Sequence, residues 1–147
     1  MLQPGYNRRM FQVTQELAFC YGHRLLGHAG KCGRLHGHNA RAFVTLQAES
    51  LDRQGMVADF DLVARRVRAW LDEEIDHQLL LHRDDPLVAG LRSLGEPLRA
   101  LDVAPTAENL ARLIFEQAER AGLPVTEVRL EEQPGSVAVY RAGVRPP

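Results

Sequence analysis

Cysteine is scarce in this chain: Cys20 and Cys32 are the only two in 147 residues. In a reducing compartment so few thiols argue against a disulfide scaffold and for free thiols or ligands. An excess of one charge is missing as well. Eighteen basic against nineteen acidic side chains leave a net charge of −1, which gives no footprint for nucleic acid or an anionic membrane. No apolar run approaches the roughly 18 residues that cross a bilayer. The polar stretch Met1–Met10, with Arg8 and Arg9, lacks the apolar core of a secretory signal. Repeats and low-complexity segments are absent too. A cytoplasmic setting and a single domain over 1–147 are therefore expected, since one core commonly serves about 100–200 residues. The 45% hydrophobic and 25% charged residues are ordinary for a globular chain and suffice for one core.

What is present begins with alternation. Phe11, Val13, Leu17 and Phe19 are separated by polar Gln12, Thr14 and Glu16, the period of a half-buried strand. Residues 38–48 repeat it, with Ala42, Val44, Leu46 and Ala48 on one face. After a turn over 50–56, Asp59 or Asp61 can cap a helix whose stripe is Leu62, Val63, Val67, Trp70, Leu71 and Ile75. Thr106 caps a second helix with Glu108 in its first turn, a stripe of Leu110, Leu113, Ile114 and Ala118, and a stop at Gly122 and Pro124. Strands over Val125–Gln133 and Ser136–Ala142 follow, joined at Pro134-Gly135. Within His82–Ala104 the pattern is weak, with room for a short helix near Pro86–Leu94. The expected fold is α+β, order ββααββ, with an antiparallel four-stranded sheet, two helices on one face and the other face free to meet a second subunit.

Four of the six histidines cluster around the glycine-rich stretch between the first two strands: His23, His28, His36 and His38. His36 and His38 are two residues apart at a strand entrance, so their side chains share a face. His23 closes the preceding strand, and an antiparallel hairpin brings it beside that pair. Three imidazoles with a free fourth position describe a catalytic zinc site, although ligand type alone also admits iron, copper or nickel. Cys32 admits two readings. As a fourth ligand it would close a structural site; as a thiolate favoured by Lys31 and Arg34 it would be a base. Cys20, at a strand end among aromatics, reads as structural, and His28 and His82 as solvated. In Asp76-His77 a carboxylate adjoins an imidazole that it can orient.

The run Lys31-Cys32-Gly33-Arg34-Leu35-His36-Gly37-His38, preceded by His23-Arg24-Leu25, resembles the 6-pyruvoyl-tetrahydropterin synthase superfamily. Within it the chain is most similar to the bacterial 6-carboxy-tetrahydropterin synthases of the queuosine pathway. The resemblance continues through Val57-Ala58-Asp59-Phe60, Asp76-His77, Pro105-Thr106-Ala107-Glu108-Asn109, and Glu132 eight residues before Tyr140. It implies the tunnelling fold, assembled as homohexamers with active sites between subunits. It also implies zinc on His23, His36 and His38, a catalytic thiol at Cys32, a relay of Asp76 and His77, and a pterin-anchoring Glu132. The implied substrate is 7,8-dihydroneopterin triphosphate and the implied product 6-carboxy-tetrahydropterin. Elimination of triphosphate to a 6-pyruvoyl product is the alternative, and a non-catalytic zinc-stabilised module is the reading from another class.

The residue chemistry agrees with those roles. A glutamate can accept two parallel hydrogen bonds from the guanidine-like edge of a pterin, and Glu131 should point to the opposite face, into solvent. Thr106 is expected as a helix cap or as a substrate contact at the helix N-terminus. Lys31, Arg24 and Arg34 are triphosphate candidates on charge alone. The chain departs from many relatives in carrying Cys20-Tyr21-Gly22, rather than two small residues, before the first histidine.

Overall fold

The alternating pattern closes into a long hairpin. Strands β1 (Phe11–His23) and β2 (His36–Ala48) pair antiparallel without a break, from Phe11 opposite Ala48 to His23 opposite His36. In the computed structural model, which describes residues 9–143, the core face of this hairpin carries Leu17, Phe19, Tyr21, Ala40, Ala42, Val44 and Leu46, all buried. Most of the Met1–Met10 segment lies outside the described residues. Helix α1 (Phe60–Glu74) starts where Asp59 accepts from the Asp61 and Leu62 amides, and lays Val63, Val67 and Leu71 against that face.

The remaining elements complete one mixed sheet. Strand β3 (Gln78–His82), helix α2 (Leu87–Ser93) and strand β4 (Leu98–Leu101) follow α1. Helix α3 (Ala107–Arg120), capped by Thr106, buries Leu110, Ala111, Ile114, Phe115 and Ala118 in the same core. Strands β5 (Val125–Gln133) and β6 (Ser136–Arg141) close the far edge. The strand order is β4-β3-β1-β2-β5-β6. The β1–β2, β2–β5 and β5–β6 pairs are antiparallel, whereas β1–β3 and β3–β4 are parallel. No helix among the described residues is long and apolar enough to cross a membrane.

This corrects the expected four-stranded antiparallel sheet and its ββααββ order. Among the described residues the sheet has six strands and is mixed, and there are three α-helices. Of the two added strands, β4 (Leu98–Leu101) falls in the segment where periodicity is weak, while β3 (Gln78–His82) lies almost wholly before it, and its sequence shows why it is not legible as a strand. Leu80 and Leu81 are both fully buried, so this strand is covered on both faces. Its sequence is a leucine run with no alternation to distinguish it from a helix. The expected two helices on one face are α1 and α3. The short α2 links the parallel strands β3 and β4, a connection that a tight hairpin cannot make.

The sheet positions the candidate residues by parity. Odd positions of β1 and even positions of β2 face the core, so Tyr21, His23, His36 and His38 share that face near one end of the hairpin. Leu130→Ala, at a position with 0% exposure in the same core, is expected to lower stability by about 2–5 kcal/mol, measured as a drop in the urea unfolding midpoint.

Candidate active site

His23 and His36 are directly paired across the hairpin, and His38 is opposite Tyr21. Their ring nitrogens converge: Nε2 of His23 is 3.1 Å from Nε2 of His36 and 3.1 Å from Nε2 of His38. The outer nitrogens bear on what the centre can hold. Nδ1 of His23 lies 2.7 Å from the Pro105 carbonyl, and Nδ1 of His36 lies 2.7 Å from the Arg34 carbonyl. A carbonyl only accepts, so each of these Nδ1 atoms carries the proton and each Nε2 presents a lone pair. Two lone pairs at that separation repel unless a cation lies between them. Burial pushes the His23 pKa below its ordinary value, against the opposing pull of the Pro105 hydrogen bond and Glu132, so a proton is poorly suited to that place near neutrality.

A tetrahedral zinc with Zn–N bonds of about 2.0–2.1 Å separates its donors by about 3.3–3.4 Å, close to the spacing observed. The three histidines therefore fit a metal ion, with two rings oriented from behind by backbone carbonyls in the way metal-ligating histidines usually are. Cys32 does not join them. Among the described residues, the donor atoms within 4.8 Å of one another at this point belong to His23, His36 and His38, which counts against a closed four-ligand site.

Cys32 instead lines a cavity beside the histidines. It sits on a single 3-10 turn, Lys31–Gly33, where its carbonyl accepts from the Leu25 amide at 2.8 Å. Gly33 allows the loop to fold this tightly, because a Cβ there would stand 2.3 Å from the His28 carbonyl oxygen. The cavity, about 510 Å³, is lined by His23, Cys32, Thr106, Glu108 and Glu132 among others, a volume suited to a small molecule. Thr106 accepts from the Asn109 amide at 3.3 Å, so it caps α3 and also borders the cavity.

Glu132 reaches into this space from β5. Its Oε1 accepts a 2.7 Å hydrogen bond from the Tyr21 hydroxyl and lies 3.6 Å and 3.7 Å from Nε2 of His23 and His38. Burial, reinforced by the hydrogen bond to Glu132, drives the Tyr21 pKa far up, so its hydroxyl remains a donor. Glu131 points to the other face as expected, but it is not solvated. It pairs with Arg41 at 2.7 Å, and its side chain is 13% exposed.

Asp76 and His77 are placed elsewhere. They follow α1, and His77 is the one non-glycine residue among those described with positive φ, 57°. Its amide donates to the Cys20 carbonyl at 2.8 Å, while the Cys20 amide donates to Asp76 Oδ1 at 2.8 Å. Asp76 Oδ2 is 2.9 Å from Nδ1 of His77, whose side chain is 79% exposed. Burial alone would raise the Asp76 pKa, but the bonds from the Cys20 amide and His77 outweigh it and leave it below the ordinary value. Cys20 faces away from the core, and its sulfur lies within 4.8 Å of donor atoms on Asp76 and His77. In one chain, the pair and Cys32 thus border different cavities.

Sequence reasoning missed several groups. Tyr21 could have been found by parity, being two residues before His23 on the same face. The Pro105 and Arg34 carbonyls carry no side-chain signal. Arg24, a triphosphate candidate on charge alone, is engaged in a bidentate pair with Asp85, with Nε–Oδ2 at 2.7 Å and Nη2–Oδ1 at 2.5 Å.

The family model described as 6-pyruvoyl tetrahydropterin synthase matches residues 12–143. The chain is similar to the 6-carboxy-5,6,7,8-tetrahydropterin synthase of Rickettsia bellii, 36% identical over 132 residues, covering 85% of this chain and 96% of that protein. It is 29% identical to the Haemophilus influenzae protein of the same name over 140 residues, covering 90% and 99% of the two chains. In fold it is similar to the Caenorhabditis elegans 6-pyruvoyl tetrahydropterin synthase structure, with a TM-score of 0.69 at 24% identity, covering 94% of this chain and 99% of that one.

Removing a donor should empty the centre. His36→Ala is expected to lower zinc affinity by about 100-fold or more, measured by competition with a chelator, with the circular dichroism spectrum unchanged.

Proposed function

Because the chain belongs to the 6-pyruvoyl tetrahydropterin synthase family, we propose that it is a zinc-dependent carbon–oxygen lyase acting on 7,8-dihydroneopterin triphosphate. The product is 6-carboxy-tetrahydropterin, with acetaldehyde and triphosphate released, in the biosynthesis of queuosine and related 7-deazapurines. The observation that carries this reading is the convergence of three imidazole Nε2 atoms beside a cavity shared by Cys32 and Glu132.

Zinc, when bound by His23, His36 and His38, supplies a Lewis acid that polarises the side-chain oxygens of the substrate. The chain's own residues do the rest. Glu132 receives the guanidine-like edge of the pterin and sets the orientation of the ring. Cys32, as thiolate, takes a proton from the substrate side chain and returns it. Asp76, held ionised by the Cys20 amide, fixes the ring of His77 so that one nitrogen is free to exchange protons. Since His77 and Cys32 border different cavities within one chain, the expected homohexamer supplies the His77 of a neighbouring copy to each site.

Two rivals are separable. A 6-pyruvoyl synthase uses the same residues and differs in the mass of its product. A non-catalytic module needs Cys32 on the metal, an arrangement the donor geometry disfavours.

Zinc-loaded protein is expected to turn over dihydroneopterin triphosphate and release acetaldehyde. Cys32→Ala should lower kcat by about 100-fold or more while zinc content and melting temperature stay unchanged. Loss of zinc and fold in that variant would establish the module instead, and absence of turnover by the zinc-loaded wild type would exclude the substrate.

A further inference from the structure

A second set of donor atoms lies on the face of the hairpin turned away from the core. The Cys20 sulfur, a carboxylate oxygen of Asp76 and a ring nitrogen of His77 all lie within 4.8 Å of one another. That is the same mutual closeness that marks His23, His36 and His38. The three line a cavity of about 490 Å³. Arg41 on its wall is paired with Glu131 at 2.7 Å, so its charge is taken up. Backbone bonds fix the set. The His77 amide donates to the Cys20 carbonyl at 2.8 Å, and the Cys20 amide to Asp76 Oδ1 at 2.8 Å. His77 is held at a φ of 57°, which a residue with a Cβ keeps only where its surroundings enforce it. These bonds leave the Cys20 thiol and Asp76 Oδ2 unused, and the His77 side chain is 79% exposed. A cation from solvent can therefore reach all three.

We propose that Cys20, Asp76 and His77 form a second metal site, for zinc or another thiophilic divalent cation, and that filling it switches off the Asp76–His77 relay. The inhibition rests on the preceding reading, in which that pair exchanges protons; the site itself does not. Thiolate, carboxylate and imidazole are all zinc donors, and three of them leave a fourth position for water. Zinc would hold its sulfur about 3.6 Å from the other two donors, and those two about 3.4 Å apart. Oδ2 of Asp76 and Nδ1 of His77 are 2.9 Å apart before any ion enters. Closing the three donors on an ion takes shifts on the order of 1 Å, which an exposed imidazole makes by rotating about its side-chain bonds. The ion takes the place of the proton between Oδ2 and Nδ1. That proton passes to Nε2, the Cys20 thiol proton goes to solvent, and thiolate and carboxylate balance the two charges of the ion. With Nδ1 on the metal and Nε2 already protonated, the ring can accept no further proton, and exchange stops. The three-histidine centre fills first, because its Nε2 atoms already stand 3.1 Å apart and no thiol has to ionise there.

Cobalt(II) separates the two centres, since a thiolate bound to it gives a near-ultraviolet charge-transfer band that imidazoles do not. Cobalt is titrated into protein already loaded with one equivalent of zinc. The wild type and Cys32→Ala are expected to develop the band. Cys20→Ser, and His77→Asn, which tolerates the positive φ, should lose it while retaining the zinc. Added zinc beyond one equivalent is expected to lower the turnover of the wild type by about tenfold or more, with Cys20→Ser holding its own one-equivalent rate to within about twofold. A band absent from the wild type, or one that follows Cys32 rather than Cys20, overturns the site. A band accompanied by turnover indifferent to added zinc overturns the inhibition. Absence of turnover at one equivalent overturns the preceding reading and the inhibition with it, and the band alone then decides the site.

Discussion

The register of β1 against β2 is the constraint on which the site depends. One unbroken ladder of thirteen residues on each strand puts His23 opposite His36 and Tyr21 opposite His38. A slip of one residue would turn either strand's core set toward the other face. The slip is prohibitive because Leu17, Phe19, Ala42, Val44 and Leu46 on the same faces are buried. The apolar half of the hairpin thus determines the three-histidine end, and the histidines need no local device to share a face.

Orientation of the rings comes from elsewhere in the chain. His23 is held from behind by the Pro105 carbonyl, immediately before Thr106 caps α3. Helix α3 is fixed by the buried stripe that packs it on the sheet, so the core contacts of Leu110 and Ile114 are transmitted to an imidazole through one carbonyl. His36 takes its orientation from Arg34, two residues away. One imidazole is therefore set by long-range packing and another by its own loop.

The same sheet also separates functions. Even positions of β1 face away from the core, and Cys20 uses its backbone amide and carbonyl to hold Asp76 and His77 on that side. Cys32 stands in the cavity lined by His23 and Glu132. If Cys32 and His77 serve one substrate, as proposed, their placement at different cavities calls for a second copy to bring them together. This is the arrangement expected of an oligomer whose sites lie between subunits.

The hairpin, α1, α3 and the last two strands were legible in the sequence because each repeats an apolar residue at its own period. His36 and His38 were legible as a pair because strand parity is a local rule, and Cys32 because it adjoins them. What only the tertiary structure decided is of two kinds. Strands β3 and β4 pair in parallel with distant partners, and a leucine run buried on both faces leaves no alternation to read. The contacts of Glu132 with Tyr21 and the histidines, and of His23 with Pro105, join residues roughly 80 to 110 positions apart. Spacing along the chain encodes which face a residue takes within its own element. Distances between elements arise only when their apolar faces close on a common core.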